Sequence, residues 1–402
     1  MADFSSGAPG AAGQGAQHGP GHVPDDLLAR LDGSAAERDR QGGHAAQAKE
    51  WIRAAGLLTL TIPARFGGGG ASWPQALATV RRLAQVDSAM AHLLAFQYLQ
   101  LSGVQSYGTP EQVAHWFGQT VLHRWWWGNA ANPADPRLAI RADGEGWRLD
   151  GVKGFCSGTR GSDVVLTSAV LAESGQRLFA VLPTARQGIT VNEDWDPVGQ
   201  RQTDSGSVQF DQVRVEPHEL LRPPPGEPTP FLSLRGLVAQ LVLVTLYIGI
   251  AEGALRQARG YTLHEARPWH AAGVSRAADD PYIIHRYAEM DVAIAAADAV
   301  ARQAIAGLEQ AWQQGAALQA AQRGALAVEV ARAKVLAHRA ALATGEGVFD
   351  VAGARATRAS LGLDRFWRNA RTHTLHDPVD YKLRDIGRHA LEGVFPPASL
   401  YS

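Results

Sequence analysis

Cysteine is nearly missing: Cys156 is the single thiol among 402 residues. One thiol builds neither a disulfide framework nor a thiolate-rich metal site, and such poverty fits a reducing cytoplasm. Excess charge is missing as well, with 38 Lys and Arg against 39 Asp and Glu for a formal net charge of −1. No half of the chain is strongly basic, so nucleic acid is not an expected partner, and any phosphate must be held by a few placed arginines. The first residues show no basic segment followed by an apolar stretch, so no secretory signal is read there. The most apolar run, residues 237–250, is interrupted by Gln240 and Thr245 and falls short of the roughly 18 residues of a spanning helix. It reads as a buried core helix, and no membrane is expected.

Several catalytic signatures are absent too. The glycine-rich run at residues 67–70 fits neither dinucleotide nor P-loop spacing, so a nicotinamide-binding half is not evident. There is no HExxH and no other convincing ligand spacing, so no metal is expected. No GxSxG elbow supports a serine nucleophile. Any redox chemistry must therefore draw its electrons from elsewhere.

What remains is a long chain, 46% hydrophobic, with room for two or three domains. Residues 1–23 hold almost no large apolar side chains and read as a disordered tail. Residues 24–122 are helical, with Leu27, Leu28 and Leu31 at helical spacing and likewise Leu77, Val80, Leu83 and Ala84; Pro110 opens a further helix. Residues 123–221 carry short β-type runs split by turns and read as an antiparallel β domain. A Pro-rich linker, 222–230, leads to Ala-rich helical stretches at 237–265, 281–313 and 318–345, a helical bundle spanning 231–402. The fold class is α+β, mainly α.

The residues that could carry chemistry are few. Trp125, Trp126 and Trp127 begin the β domain, and three rings in a strand place at least one on the opposite face, to line an apolar cleft or pack a core. Asn129 and Ser157 add polar groups at strand ends, the combination a flat heteroaromatic ligand needs. His92, His373, His376 and His389 are candidate proton carriers. Arg365, Arg368 and Arg371 recur every third residue, and Arg267 stands alone after a long helix; each could hold a phosphate.

Taken together, WWWGNA, VKGFCSG, DWDPVGQRQTDSGSVQFDQVRVEP, ARPW, DRFWRNARTHTLHDPV and YKLRDIGRH resemble the flavin-dependent monooxygenase branch of the acyl-CoA dehydrogenase superfamily. The resemblance runs from about residue 24 to the end. It implies an N-terminal helical domain, a central antiparallel β-barrel and a C-terminal four-helix bundle, assembled as a homotetramer. It implies flavin between β domain and bundle, with Asn129, Phe155 and Ser157 at the isoalloxazine. Arg267 and Arg368 would hold the flavin phosphate, Arg368 reaching across from a neighbouring subunit. His92 and His389 would flank the reactive edge and move the proton, Asn129 and Ser157 would position flavin and oxygen, and Trp195 and Phe96 would line the substrate pocket.

The activity so implied uses reduced FMN, or FAD as second choice, delivered by a separate NAD(P)H-flavin reductase. O2 is the co-substrate, activated as a flavin hydroperoxide, and the substrate is an indole- or thiophene-like heterocycle or an organosulfur compound. Two departures stand out. Acyl-CoA dehydrogenases carry a base in a Tyr-Glu-Gly-Thr segment, and here that region reads His376-Asp377-Pro378-Val379. Phe96 also replaces a tyrosine expected beside the flavin. The alternatives are an acyl-CoA dehydrogenase with tightly bound FAD, using Glu252 or Glu265, and a non-catalytic nucleic-acid-binding member.

Overall fold

The computed structural model describes residues 21–222, 229–399 and 401–402. The expected disordered tail and Pro-rich linker lie largely outside them. Five helices come first: α1 (Asp25–Gln41), α2 (Ala46–Ala54), α3 (Trp73–Ala84), α4 (Ser88–Tyr107) and α5 (Pro110–His123). Their starts are written in the sequence. Ser72 and Gln75 form a reciprocal capping box at α3, and Thr109 and Gln112 do the same at α5 with proline in the first turn. Asp87 caps α4 by accepting from Ala89 N and Met90 N at 3.1 and 3.0 Å.

Eight strands follow: β1 (Trp127–Ala130), β2 (Leu138–Asp143), β3 (Gly146–Lys153), β4 (Val164–Leu171), β5 (Arg177–Pro183), β6 (Ile189–Val191), β7 (Val208–Val215) and β8 (Leu220–Leu221). Their hydrogen-bonded order is β6-β7-β3-β2-β4-β5-β8, with β1 paired to β4. Two features differ from the expected antiparallel barrel. One edge of β4 is shared end to end by β1 and β2, both parallel to it, so the sheet is mixed. The order also ends at β6 and β8, of three and two residues, which are too short to pair round into a ring. The first half of the chain covers the sheet instead: Trp116 and Phe117 of α5 pack on Trp127, Val164, Leu166 and Val181.

The tryptophan run packs as core. Trp126 and Trp127 are buried in separate clusters on the two sides of β1, and their indole N–H groups donate to Lys49 O and Thr120 Oγ1. Neither lines a cleft.

The helices of the last part are α6 (Leu234–His264), α7 (Pro281–Gln314), α8 (Ala320–Ala352), α9 (Asp364–Thr374) and α10 (Val379–Glu392). Helix α6 is longer than its apolar run suggests and is apolar enough to cross a membrane, yet 94% of that stretch is buried by the rest of the chain. It packs on α8, α7, α3 and α4, so its hydrophobic surface is satisfied within the protein. Helix α4 is buried on nearly every side, between the sheet and α6, which makes it the spine of the molecule.

The loop before β7 docks on α9 through Gly199, where an added Cβ would stand 2.1 Å from Arg368 O. We expect Gly199→Ala to lower stability by about 1–3 kcal/mol, because backbone on both sides must give. Chemical denaturation checks it; an unchanged midpoint contradicts the packing.

Candidate functional site

His92, Phe96 and Gln100 recur every four residues along α4 and so share one face. The His92 ring lies on Phe96 with centroids 4.0 Å apart, and His373 of α9 sits 4.8 Å from His92 on its other side. One turn beyond Phe96, Gln100 Nε2 donates to Asn129 Oδ1 at 2.9 Å. That oxygen also accepts from Ala131 N at 3.2 Å, which fixes the Asn129 amide and turns its Nδ2 away from these partners.

Asn129 N donates to Ser157 O at 3.1 Å, tying β1 to the following loop. The Ser157 hydroxyl lies 2.8 Å from that of Ser205, which lies 2.7 Å from that of Thr203. Gly158 holds the loop against α4: its φ is +66°, and a Cβ there would come within 2.9 Å of Leu93. Three elements thus meet along one line from His373 to Ser205. Trp195 donates to Gln200 O at 3.0 Å and meets Phe155 edge to face at 6.0 Å; Phe155 is 65% exposed at a φ of +59°.

Gln200 ties this line to α9. Its N–H donates to Asn369 Oδ1 at 2.6 Å, and Ser88 Oγ accepts from both Gln200 and Asn369 side chains. Gln200 Nε2 also lies 3.5 Å from His373 Nδ1, a weak bond, and Tyr247 donates to His373 O.

Burial sets the protonation of the two imidazoles. It pushes His92 down to about 3, helped by the charge of His376. It takes His373 well below the usual range, with His92, His376 and Lys334 adding to the effect. Both are neutral at neutral pH. Both His92 nitrogens, His373 Nε2 and Gln200 Oε1 are buried with no hydrogen-bond partner among the described residues. Such orphans cost about 1–3 kcal/mol each and mark places where a ligand completes the bonding. A flat heteroaromatic with polar edges, a flavin among them, fits this donor set.

A third histidine stands nearby. His376 Nδ1 is 3.0 Å from Asp377 Oδ1, and Asp377 also pairs with buried Lys334 at 3.1 Å and Lys382 at 3.7 Å. Burial disfavours the Asp377 charge, but the His376 hydrogen bond and the two lysines outweigh it and hold the carboxyl well below its usual range.

Other expected residues lie elsewhere. His389 stacks on Phe395 at 5.0 Å with its Nδ1 buried and unpartnered among the described residues, whereas the imidazole in ring contact with His92 is that of His373. Arg267 is exposed in the loop after α6. Arg368 bonds Asp39, Asp364 and Val198 O, which occupies its guanidinium, and no contact joins it to Arg267. Arg365 is buried against Gln257 and Gly362 O, which occupies the guanidinium expected to hold a phosphate. Glu252 is bound by Arg81 and Gln85, and Glu265 is exposed, so neither serves as a base at His92.

Sequence reasoning missed Gln100, Gln200, Ser205 and Asn369. Gln100 was findable, eight residues from His92 on a helix. The others join only through loop packing.

The N-terminal, middle and C-terminal domains of acyl-CoA dehydrogenase match residues 27–121, 128–213 and 241–381. A probable FMNH2-dependent monooxygenase, SfnC of Pseudomonas putida, is 45% identical over 94% of this chain and 96% of its own. The chain belongs to the acyl-CoA dehydrogenase family, in its flavin monooxygenase branch. Among structures, methanesulfinate monooxygenase MsuC of Pseudomonas fluorescens superposes on this family member with a TM-score of 0.92 and 46% identity, covering 94% of this chain and 98% of its own. TdsC of Paenibacillus sp. A11-2, solved with FMN and indole, gives 0.89 and 38% with the same coverage.

The buried imidazoles give this acyl-CoA dehydrogenase-type chain an acid limb. Burial lowers His92 from its ordinary 6.5 to about 3, so between those values the unfolded chain binds more protons and stability is lost as the pH is lowered. We expect His92→Gln to flatten the melting temperature against pH over that window. An equally steep limb in the variant contradicts the assignment.

Proposed function

We propose that the chain is the oxygenase component of a two-component monooxygenase. It takes reduced FMN from a separate NAD(P)H-flavin reductase and uses O2 to oxygenate a small heteroaromatic or organosulfur compound. One observation carries the reading: two neutral, buried imidazoles, His92 with neither nitrogen bonded and His373 with its Nε2 free, stand beside an aromatic wall and a fixed asparagine, where among the described residues no free carboxylate is placed to take a substrate proton. FMN is favoured over FAD by the name of the relative SfnC.

Reduced flavin supplies the two electrons and the activation of O2. The chain does the rest. Asn129 and Ser157 orient the ring edge, and Phe155 and Trp195 wall the ligand from solvent. Phe96 carries no hydroxyl and keeps the reacting space apolar, which limits loss of oxygen as peroxide. His92 and His373 hold hydrogen bonds at the reacting edge, and His376, oriented by Asp377, delivers the proton to the departing oxygen. Arg267 and Arg368 hold the phosphate only in an assembly that frees or adds to them; exposed Trp269, Tyr282 and Val292 support the homotetramer in which that happens.

The dehydrogenase alternative asks for a base that Glu252 does not offer, and the balanced charge gives nucleic acid no footing. With chemically reduced FMN, O2 and a panel of indoles, thiophenes and organosulfur compounds, we expect His92→Ala to slow oxygenated product by about 10²–10⁴, with hydrogen peroxide rising in its place. Product unchanged by the substitution, or bound FAD bleached by an acyl-CoA without reductant, overturns the reading.

A further inference from the structure

Arg235 lies in the first turn of α6 and is 7% exposed. A cation there stands at the positive end of a 31-residue helix, against its dipole. Burial pushes the guanidinium pKa down with no carboxylate to oppose it, and Nε is buried without a partner among the described residues. Buried Lys334, by comparison, is held by Asp377 and Gln240. A cation placed at such cost must do something that a neutral side chain would not.

Its one hydrogen bond shows what. Arg235 Nη2 donates to Gln100 Oε1 at 3.2 Å. The guanidinium is aimed from two sides. On one it lies 5.8 Å from the centre of the Phe179 ring. On the other it crosses α4 at Gly103, where an added Cβ would stand 3.0 Å from Nε. Glycine inside a helix costs roughly 0.5–1 kcal/mol against alanine, and here the missing Cβ gives the guanidinium its path to Gln100, one turn earlier.

The bond carries direction. A guanidinium only donates, whereas an amide presents an acceptor at one end and donors at the other. Facing Arg235, Gln100 must turn its oxygen to the guanidinium and its NH2 group to Asn129, whose Oδ1 accepts at 2.9 Å. Ala131 N donates to the same oxygen at 3.2 Å. Both bonds to the Asn129 side chain therefore go to its oxygen, and Nδ2 is left without a partner among the described residues. Ser157 has no such fixed sense, since its hydroxyl meets that of Ser205 and either can donate.

We propose that Arg235 is a positioning residue: through Gln100 it fixes the Asn129 amide as a donor toward the flavin, so that the edge received there is an acceptor edge. The identity of that ligand rests on the monooxygenase reading above. Bonds in such a chain reinforce one another, and the charge at its head strengthens the donor at its end. Without Arg235 the Gln100 amide can turn over, and the sense of the Asn129 amide is no longer imposed from that side.

The test reads side-chain amide protons by nitrogen-15 spectroscopy in the full-length protein without flavin, then titrates FMN and follows its fluorescence. In the wild type we expect the Gln100 amide protons to exchange slowly, those of Asn129 fast, and the Asn129 amide to shift when FMN is added. Arg235→Met should speed exchange at Gln100 and weaken FMN about threefold to tenfold, the loss of one oriented hydrogen bond. Arg235→Lys keeps a donor and should restore both, a rescue that lost packing alone would not show. Gln100→Glu hands the guanidinium its own carboxylate and so should fold. Its second oxygen then accepts from Asn129, which reverses the chain: exchange at Asn129 should slow, and FMN should again weaken. Fast exchange at Gln100 with slow exchange at Asn129 in the wild type, or wild-type FMN affinity in both Arg235→Met and Gln100→Glu, overturns this proposal alone. A wild type with the expected amide pattern that binds no FMN sinks the monooxygenase reading, and with it the flavin as the ligand of that donor.

Discussion

Polar groups buried without partners are the constraint on which this molecule turns. The hydrophobic core around α4 and α6 is continuous enough to bury two imidazoles and a guanidinium, and it does so where the chain returns few hydrogen bonds. Each such group opposes folding, and only a large well-packed core can carry several of them. They are gathered along one side of α4 between the sheet and the last helices, which makes that line the place where a ligand gains most.

Helix α4 organises the line by its period alone. Four-residue spacing sets His92, Phe96 and Gln100 in a row, and each meets a different part of the chain: His373 from α9, the aromatic face itself, and Asn129 from β1. The loop carrying Gln200 closes the end of the row against Ser88 and Asn369. Mixed pairing in the sheet serves the same end. With β1 running parallel to β4 and reaching α4, Asn129 comes to the helix at the level of Gln100.

Much of this was legible in the sequence. The caps at Ser72, Asp87 and Thr109, and the long Ala-rich periodicities, mark helices that the structure contains. The family motifs led to Asn129 and Ser157 and the wider resemblance to His92, and Gln100 joins the helix of His92 to Asn129. Residues that meet only through tertiary packing were not legible. His373 and His389 look alike as letters, and only the docking of α9 on α4 shows that the first approaches His92 while the second lies on Phe395. Trp126 and Trp127 took the core alternative, since core packing claims aromatic strands wherever a helix covers the sheet. Arg235 drew no notice because a single arginine at a helix start is ordinary until its missing partners are seen.

Charge placement separates this chain from an α,β-dehydrogenase more clearly than any motif. Glu252 is held by Arg81, and Asp377, the carboxylate beside His376, is held by that histidine and two lysines. What is left at the reacting line is neutral donors in an apolar setting. The most direct measurement is the nitrogen-15 spectrum of histidine-labelled protein, recorded anaerobically with and without reduced FMN. The account requires His92 and His373 to stay uncharged in both states and their ring nitrogens to shift when reduced FMN is added. Imidazolium signals at neutral pH, or resonances indifferent to the flavin, would contradict it.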